Sequence, residues 1–303
     1  MQTATTKTIL NRMRQLEIRT RRLVNDSLAG EYHSVFKGRG MDFDEVREYV
    51  PGDEVRTIDW NVTARAGRPF VKKYTEEREL NILLLVDISA SGNFGSGTQS
   101  KRELAGEVAS LLALSAIRNS DKVGLLLYTD RIEQYVPPKK GRRHVLRVVR
   151  EILFHKANGV GTDSVKALEA ASHVLHRRAV VFLISDFQSS GDPLKARANL
   201  RRAMRQTNRR HDLIAVHIED PYEQALPDVG MLTLEDAETG ELVALDTADP
   251  DVRERFNRAA IAHVEHLVRD IRAEGVDTLA LKTNAAYVPA LQRFFKSRGH
   301  RHS

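Results

Sequence analysis

Asn81-Ile82-Leu83-Leu84-Leu85-Val86-Asp87-Ile88-Ser89-Ala90-Ser91-Gly92 is the stretch that decides the fold. Its first half is an almost uninterrupted apolar run of strand length, as a strand covered on both faces requires. It then presents one carboxylate and two hydroxyls at alternate positions and closes on glycine, so a buried strand stops and turns. In an open parallel sheet, ligands collect beyond the carboxyl ends of the strands. Short oxygen side chains there suit a hard divalent cation. Hydroxyls leave the ion less neutralised than carboxylates would, so it keeps an affinity for an acidic group from elsewhere.

Outward from this stretch, strand and helix alternate. Strands are predicted at 82–86, 122–128, 179–184, 213–218 and 278–282. Helices are predicted at 101–117, 144–153, 165–176, 194–206, 250–273 and 289–296. Turn residues at 237–240 between two short apolar runs predict a hairpin inserted near 231–245. The pattern is that of an α/β fold with a doubly wound, mostly parallel sheet over residues 80–303. Residues 1–79 read differently. An amphipathic helix is predicted over 7–28, ended by Gly30, and then a small β-rich element with Ser34-Val35-Phe36 and the run 70–74 as its β-forming parts. Pro51-Gly52-Asp53 and Ala66-Gly67-Arg68-Pro69 mark its turns, and Trp60 is expected to be its buried anchor.

The 303 residues are 41% hydrophobic and 29% charged, an ordinary globular composition. No apolar stretch reaches membrane-spanning length and no secretory h-region stands at the N-terminus, so a cytoplasmic location is the expectation. With no cysteine, disulfides and thiolate metal sites are excluded. The net charge of +6 comes from 47 basic and 41 acidic residues, interleaved. The basic clusters are 139–143, 201–210 and 298–302. Few aromatics lie among them to stack on bases, and solvated helix faces account for them better than nucleic-acid binding does.

Residues that follow the other strands extend the candidate site. Ser185-Asp186 follows the strand at 179–184. The loop Gly159-Val160-Gly161-Thr162-Asp163-Ser164 delivers Thr162 just before a helix. Singly, each of these residues has an ordinary reading: Ser89, Ser91 and Thr162 as turn or helix-cap residues, Asp186 as a strand end. Together, Asp87, Ser89, Ser91, Thr162 and Asp186 favour one hard-oxygen site for Mg²⁺, or for Mn²⁺ or Ca²⁺.

This set resembles the metal-ion-dependent adhesion site of von Willebrand factor A domains. Asp186 is followed by Phe187, where adhesion-type domains usually have Gly. The leading segment, with 38–49, Pro51-Gly52-Asp53, Ile58-Asp59-Trp60-Asn61 and Thr63-Ala64-Arg65, resembles the family known as domain of unknown function 58. That resemblance spans nearly the whole chain and implies a member without a membrane anchor. Members of the family are typically encoded beside MoxR-type AAA+ ATPases. The resemblance therefore implies such an ATPase as partner, its acidic residue completing the metal site.

Other chemistries fit less well. The loop at 92–98 has P-loop glycine spacing but Thr98 where lysine is required, and Lys101 comes too late to replace it. A phosphotransferase of the haloacid type needs a second Asp where Ser89 lies. His173/His176 and His263/His266 lack the spacing of a zinc protease. In the segment 38–65, Asp42, Glu45, Arg47, Asp53 and Arg56 stand as a partner-docking surface or as part of a salt-bridge network, and both readings remain open. The expected function is a metal-dependent protein-binding adaptor with no catalytic residues. A Mg²⁺-dependent phosphoester hydrolase is the alternative, and nucleic-acid binding a second alternative.

Overall fold

The computed structural model describes Tyr32, Val35 and residues 42–75, 79–97, 99–188, 192–235 and 240–302. The predicted helix over 7–28 and its end at Gly30 lie outside the described residues.

Ahead of the main sheet, β1 (Asp42–Glu48) pairs antiparallel with β2 (Phe70–Thr75). The chain between them forms a short helix, α1 (Trp60–Ala66). Its N-terminus is capped by Asp59, which accepts N–H bonds from Asn61 and Val62, and it stops at Gly67 with φ 70°. Two expectations are corrected here. Trp60 is 67% exposed and anchors nothing. Val35 is helical rather than β, and it lies with Tyr32 in the core of the following domain. The Tyr32 hydroxyl donates to Asp121 Oδ2 at 3.3 Å.

The main sheet is built from β3 (Asn81–Asp87), β4 (Lys122–Tyr128), β5 (Ile132–Lys139), β6 (Val180–Ser185), β7 (Asp212–Glu219) and β10 (Asp277–Lys282), in the order β10-β7-β6-β3-β4-β5. Every pairing is parallel except β4 with β5, which adds an antiparallel edge. That edge strand carries Pro137 and Pro138, which an edge position tolerates. Gly124 opposite makes room, since a Cβ there would lie 2.9 Å from the Pro138 ring.

Alternation along β3 explains the two-sided cover. Ile82, Leu84 and Val86 face one apolar cluster, with α2 (Lys101–Arg118), α3 (Arg142–Phe154) and α7 (Tyr287–His302). Leu83 and Leu85 face the other, with α4 (Ser164–Val174), α5 (Pro193–Arg210) and α6 (Pro250–Ala273). The doubly wound, mostly parallel α/β fold expected from the sequence is thus what forms. The hairpin of β8 (Met231–Glu235) and β9 (Leu242–Asp246) stands apart from the main sheet. Among the described residues, no helix is long and apolar enough to cross a membrane.

Part of the basic face of α5 is engaged within the fold. Arg197 pairs with Asp270 at 2.7 Å, and Arg201 and Arg205 pair with Glu274 at 2.8 and 2.5 Å, tying α5 to α6. Arg298 of the C-terminal cluster is buried against Asp212 and Asp277. These arginines brace helices rather than face a nucleic acid.

Candidate metal centre

Strand order reverses between β3 and β6, the place where an open α/β sheet leaves a crevice. Their register sets Val86 opposite Ile184, so Asp87 and Ser185-Asp186 emerge side by side. Asp87 is buried; its Oδ1 accepts the Ser89 N–H at 2.9 Å and its Oδ2 accepts the Ser185 hydroxyl at 2.6 Å. The Ser89 and Ser91 hydroxyls lie 3.1 Å apart on the turn. Burial, and next the neighbouring Asp186 carboxylate, push the Asp87 carboxyl up to about 7, against the pull of its bonds from Ser185 and Ser89. Lys101 lies on Asp186, so Asp87 is the carboxylate of the pair left short of counter-charge, the condition a bound cation relieves.

Phe187 shows what it costs to aim Asp186. Its φ is +56°, a left-handed conformation that glycine adopts freely and phenylalanine adopts at a cost of about 1 kcal/mol. This accounts for the glycine usual at this position in adhesion-type sites. Here the ring packs against His217, 5.8 Å between centroids, and the Phe187 N–H is held by Ser185 Oγ at 2.9 Å.

Thr162 arrives on a loop docked onto the same turn, with Ala90 N–H donating to the Val160 carbonyl at 3.0 Å. Glu133 on β5 fixes that loop. It accepts the N–H groups of Asn158 at 3.0 Å and Gly159 at 2.7 Å, the Asn158 amide at 3.0 Å and the Thr129 hydroxyl at 2.9 Å. Burial acts to raise the Glu133 carboxyl, but these donors outweigh it and hold it at about 2. Gly159 is required by close approach, because a Cβ there would lie 2.0 Å from Asp130 Oδ1 and 2.2 Å from Thr129 Oγ1. The Thr162 hydroxyl oxygen is buried with no hydrogen-bond partner. Beside it opens a groove of about 630 Å³, lined by Thr162, Phe187, Gln188, Arg197, His263 and Leu267 among others.

Asp87 and Asp186 thus line one crevice, Ser89 and Ser91 stand on the turn that follows Asp87, and the Thr162 loop is docked on that turn. The donors fit a hard cation: two carboxylates and three hydroxyls, one of which, that of Thr162, is buried without a partner. Among the described residues, no three His, Asp or Glu side chains form a metal-binding group, so an ion here would rest on hydroxyls as well.

The residue missed from sequence is Lys101, the first of α2. Its side chain is 2% exposed, and Nζ lies 2.6 Å from Asp186 Oδ2 and 2.5 Å from Glu223 Oε1. Burial would lower its pKa, but Asp186 and Glu223 outweigh that and raise it. The crevice bordered by Asp87, Lys101, Arg102 and Asp186 measures only about 10 Å³, room for about one water. A helix-start lysine that follows a glycine loop was the available signal.

The described residues of the segment, from 42 to 65, lie on the separate β1–β2 element. Arg47 grips Asp53 through two bonds of 2.8 and 2.6 Å, and Arg56 is exposed. Lys72 pairs with Asp59 at 3.4 Å. The side chains of Asp42 and Glu45 lie outside the described residues. These ion pairs brace the element internally.

Solved structures with a likeness to this one include BatB from Bacteroides thetaiotaomicron, at 15% identity and TM-score 0.44, covering 73% of this chain and 99% of that one. The von Willebrand factor A domain of SpRpn10 follows at 13% identity and TM-score 0.40, covering 71% and 94%. At that distance neither bears on what the chain does. In sequence, the uncharacterized protein Rv1480 of Mycobacterium tuberculosis is 34% identical over 288 residues, covering 94% of this chain and 88% of its own. YeaD of Bacillus subtilis is 28% identical over 107 residues, covering 35% and 25%. The family described as "Protein of unknown function DUF58" matches residues 45–266. A match of that extent, with a relative 34% identical along 94% of the sequence, shows that the chain belongs to the DUF58 family.

Proposed function

We propose that this protein is a divalent-cation-dependent protein-binding module whose ligand is an acidic side chain on a partner. Asp87, Ser89, Ser91, Thr162 and Asp186 would hold Mg²⁺, or Mn²⁺ or Ca²⁺, some through water. When bound, the ion supplies an electrophilic point with a position left for an outside carboxylate. The observation that carries this reading is the Thr162 hydroxyl, buried without a partner on a loop that Glu133 and Gly159 fix against the Asp87 turn. A polar atom is rarely left so unless something else satisfies it.

Each residue has a role in this reading. Asp87 and Asp186 bring the charge, and the hydroxyls orient without neutralising. The groove beside Thr162 would receive the segment that bears the acid. Resemblance supplies a MoxR-type AAA+ ATPase as the partner, with this chain as its adaptor in the maturation of other complexes, and the cytoplasm is the place proposed from the sequence. Arg47, Asp53, Arg56, Asp42 and Glu45 would form a second contact with it.

Binding of such an ATPase, measured by biolayer interferometry in Mg²⁺ and in chelator, tests the reading. Affinity is expected to drop at least tenfold in chelator and with Asp87→Ala. Equal affinity under all three conditions would sink it.

A further inference from the structure

Lys101 already supplies a cation to this site. Its ammonium bridges two carboxylates of different standing. Asp186 is the inner one, its side chain 5% exposed, whereas Glu223 is the outer one at 25%. Asp186 is already engaged at both oxygens: Oδ1 accepts the Gln188 N–H at 3.2 Å and Oδ2 faces Lys101. A divalent ion that takes Asp186 must therefore compete with the ammonium or push it aside, since two cations sharing one carboxylate repel strongly away from bulk water.

Glu223 is built to receive the displaced charge. It closes the short turn Pro221–Glu223 after β7, where its Oε2 accepts the Asp220 N–H at 3.2 Å and its Oε1 accepts the Gln188 amide at 2.8 Å. Asp220 is itself pinned by the Ser96 N–H at 2.9 Å and the Thr283 hydroxyl at 2.6 Å. The outer carboxylate thus stays in place whether or not Lys101 also touches Asp186. Lys101 has a long, flexible stem, and a small swing of its tip moves the ammonium from the shared position onto Glu223 alone.

The geometry points to Lys101 and Glu223 as a cation gate on the Asp87 site. Without an ion, the ammonium neutralises Asp186; when a divalent ion takes Asp186, the ammonium retreats to Glu223. This rests on the preceding proposal that the site takes a divalent ion.

Mn²⁺ titration of the full chain by isothermal calorimetry tests the gate, using the wild type, Asp87→Ala, Lys101→Met and Glu223→Gln. Lys101→Met removes the competitor and is expected to tighten Mn²⁺ at least tenfold. Glu223→Gln removes the refuge and is expected to weaken it at least threefold. The gate requires these opposite signs; an ion bound away from Lys101 and Glu223 gives neither shift. Unchanged or weaker binding by Lys101→Met overturns the gate. That variant leaves Asp186 and Glu223 without a counter-ion, so its folding is checked by circular dichroism. Glu223→Gln, on a surface turn, decides alone if Lys101→Met does not fold: unchanged or tighter Mn²⁺ binding overturns the gate. Asp87-dependent uptake by the wild type with neither variant shifted removes only the gate. Uptake by Lys101→Met but not by the wild type supports it. No uptake by any of the four removes the cation reading and the gate with it.

Discussion

Glu133 and Asp87 are both buried carboxylates, one on either side of the loop that carries Thr162, and their surroundings treat them oppositely. Glu133 collects donors from Thr129, Asn158 and Gly159 and is held at about 2. Asp87 has donors from Ser89 and Ser185, faces Asp186, and is pushed to about 7. The first is a carboxylate whose partners are all within the chain, and its work is to fix a loop. The second is a carboxylate still short of positive charge, and its work lies with something that arrives. A satisfied buried acid supports the fold, whereas an unsatisfied one is kept at a cost to stability.

Removing the satisfied acid should cost most. Glu133→Ala strands the Asn158 and Gly159 donors and is expected to destabilise the protein by about 3 kcal/mol. In a thermal melt that is a fall on the order of 10 °C. Gly159→Ala forces a methyl group into Asp130 and Thr129, and about 2 kcal/mol of destabilisation is expected from such overpacking. The same variant should weaken Mn²⁺ binding, since the Thr162 loop must shift. A normal melt with unchanged Mn²⁺ affinity would detach that loop from the site.

Acid sharpens the contrast. The folded-state pKa of Glu133 is depressed from its ordinary 4.5 to about 2. Its stabilisation is therefore fully present above about 4.5 and is lost as pH falls toward 2. Urea melts of wild type and Glu133→Gln between pH 7 and 2.5 should show the gap between them closing below pH 4.5. The smallest effect carries the opposite sign. Asp87→Asn relieves the repulsion with Asp186 and should raise the melting temperature in chelator by a few degrees, roughly 1 kcal/mol. A lower melting temperature would mean that Asp87 is a structural acid like Glu133.

Much of this was legible in the sequence, for definite reasons. β3, β4, β6 and β7 are apolar runs because both faces are covered, β10 alternates as an edge strand, and helix α6 starts where Pro250 permits. Asp87 and Asp186 sit at neighbouring strand ends, so the parallel register alone sets them side by side, with Ser89 and Ser91 on the turn that follows Asp87. β5 was not legible, since Pro137-Pro138 reads as a breaker until an edge position is known. Neither was α1, whose caps at Asp59 and Gly67 stand among turn residues, nor the exposure of Trp60. Lys101 was weighed only as a P-loop lysine, because its role depends on reaching Asp186 and Glu223 and no local pattern encodes partners so distant along the chain.

The central claim is that Asp87 organises a cation site. Chelator-treated protein titrated with Mn²⁺ and followed by electron paramagnetic resonance tests it most directly. One bound ion per wild-type chain and none for Asp87→Ala are expected, with both proteins folded. Equal uptake by the two, or none by the wild type and none by Lys101→Met, would contradict it.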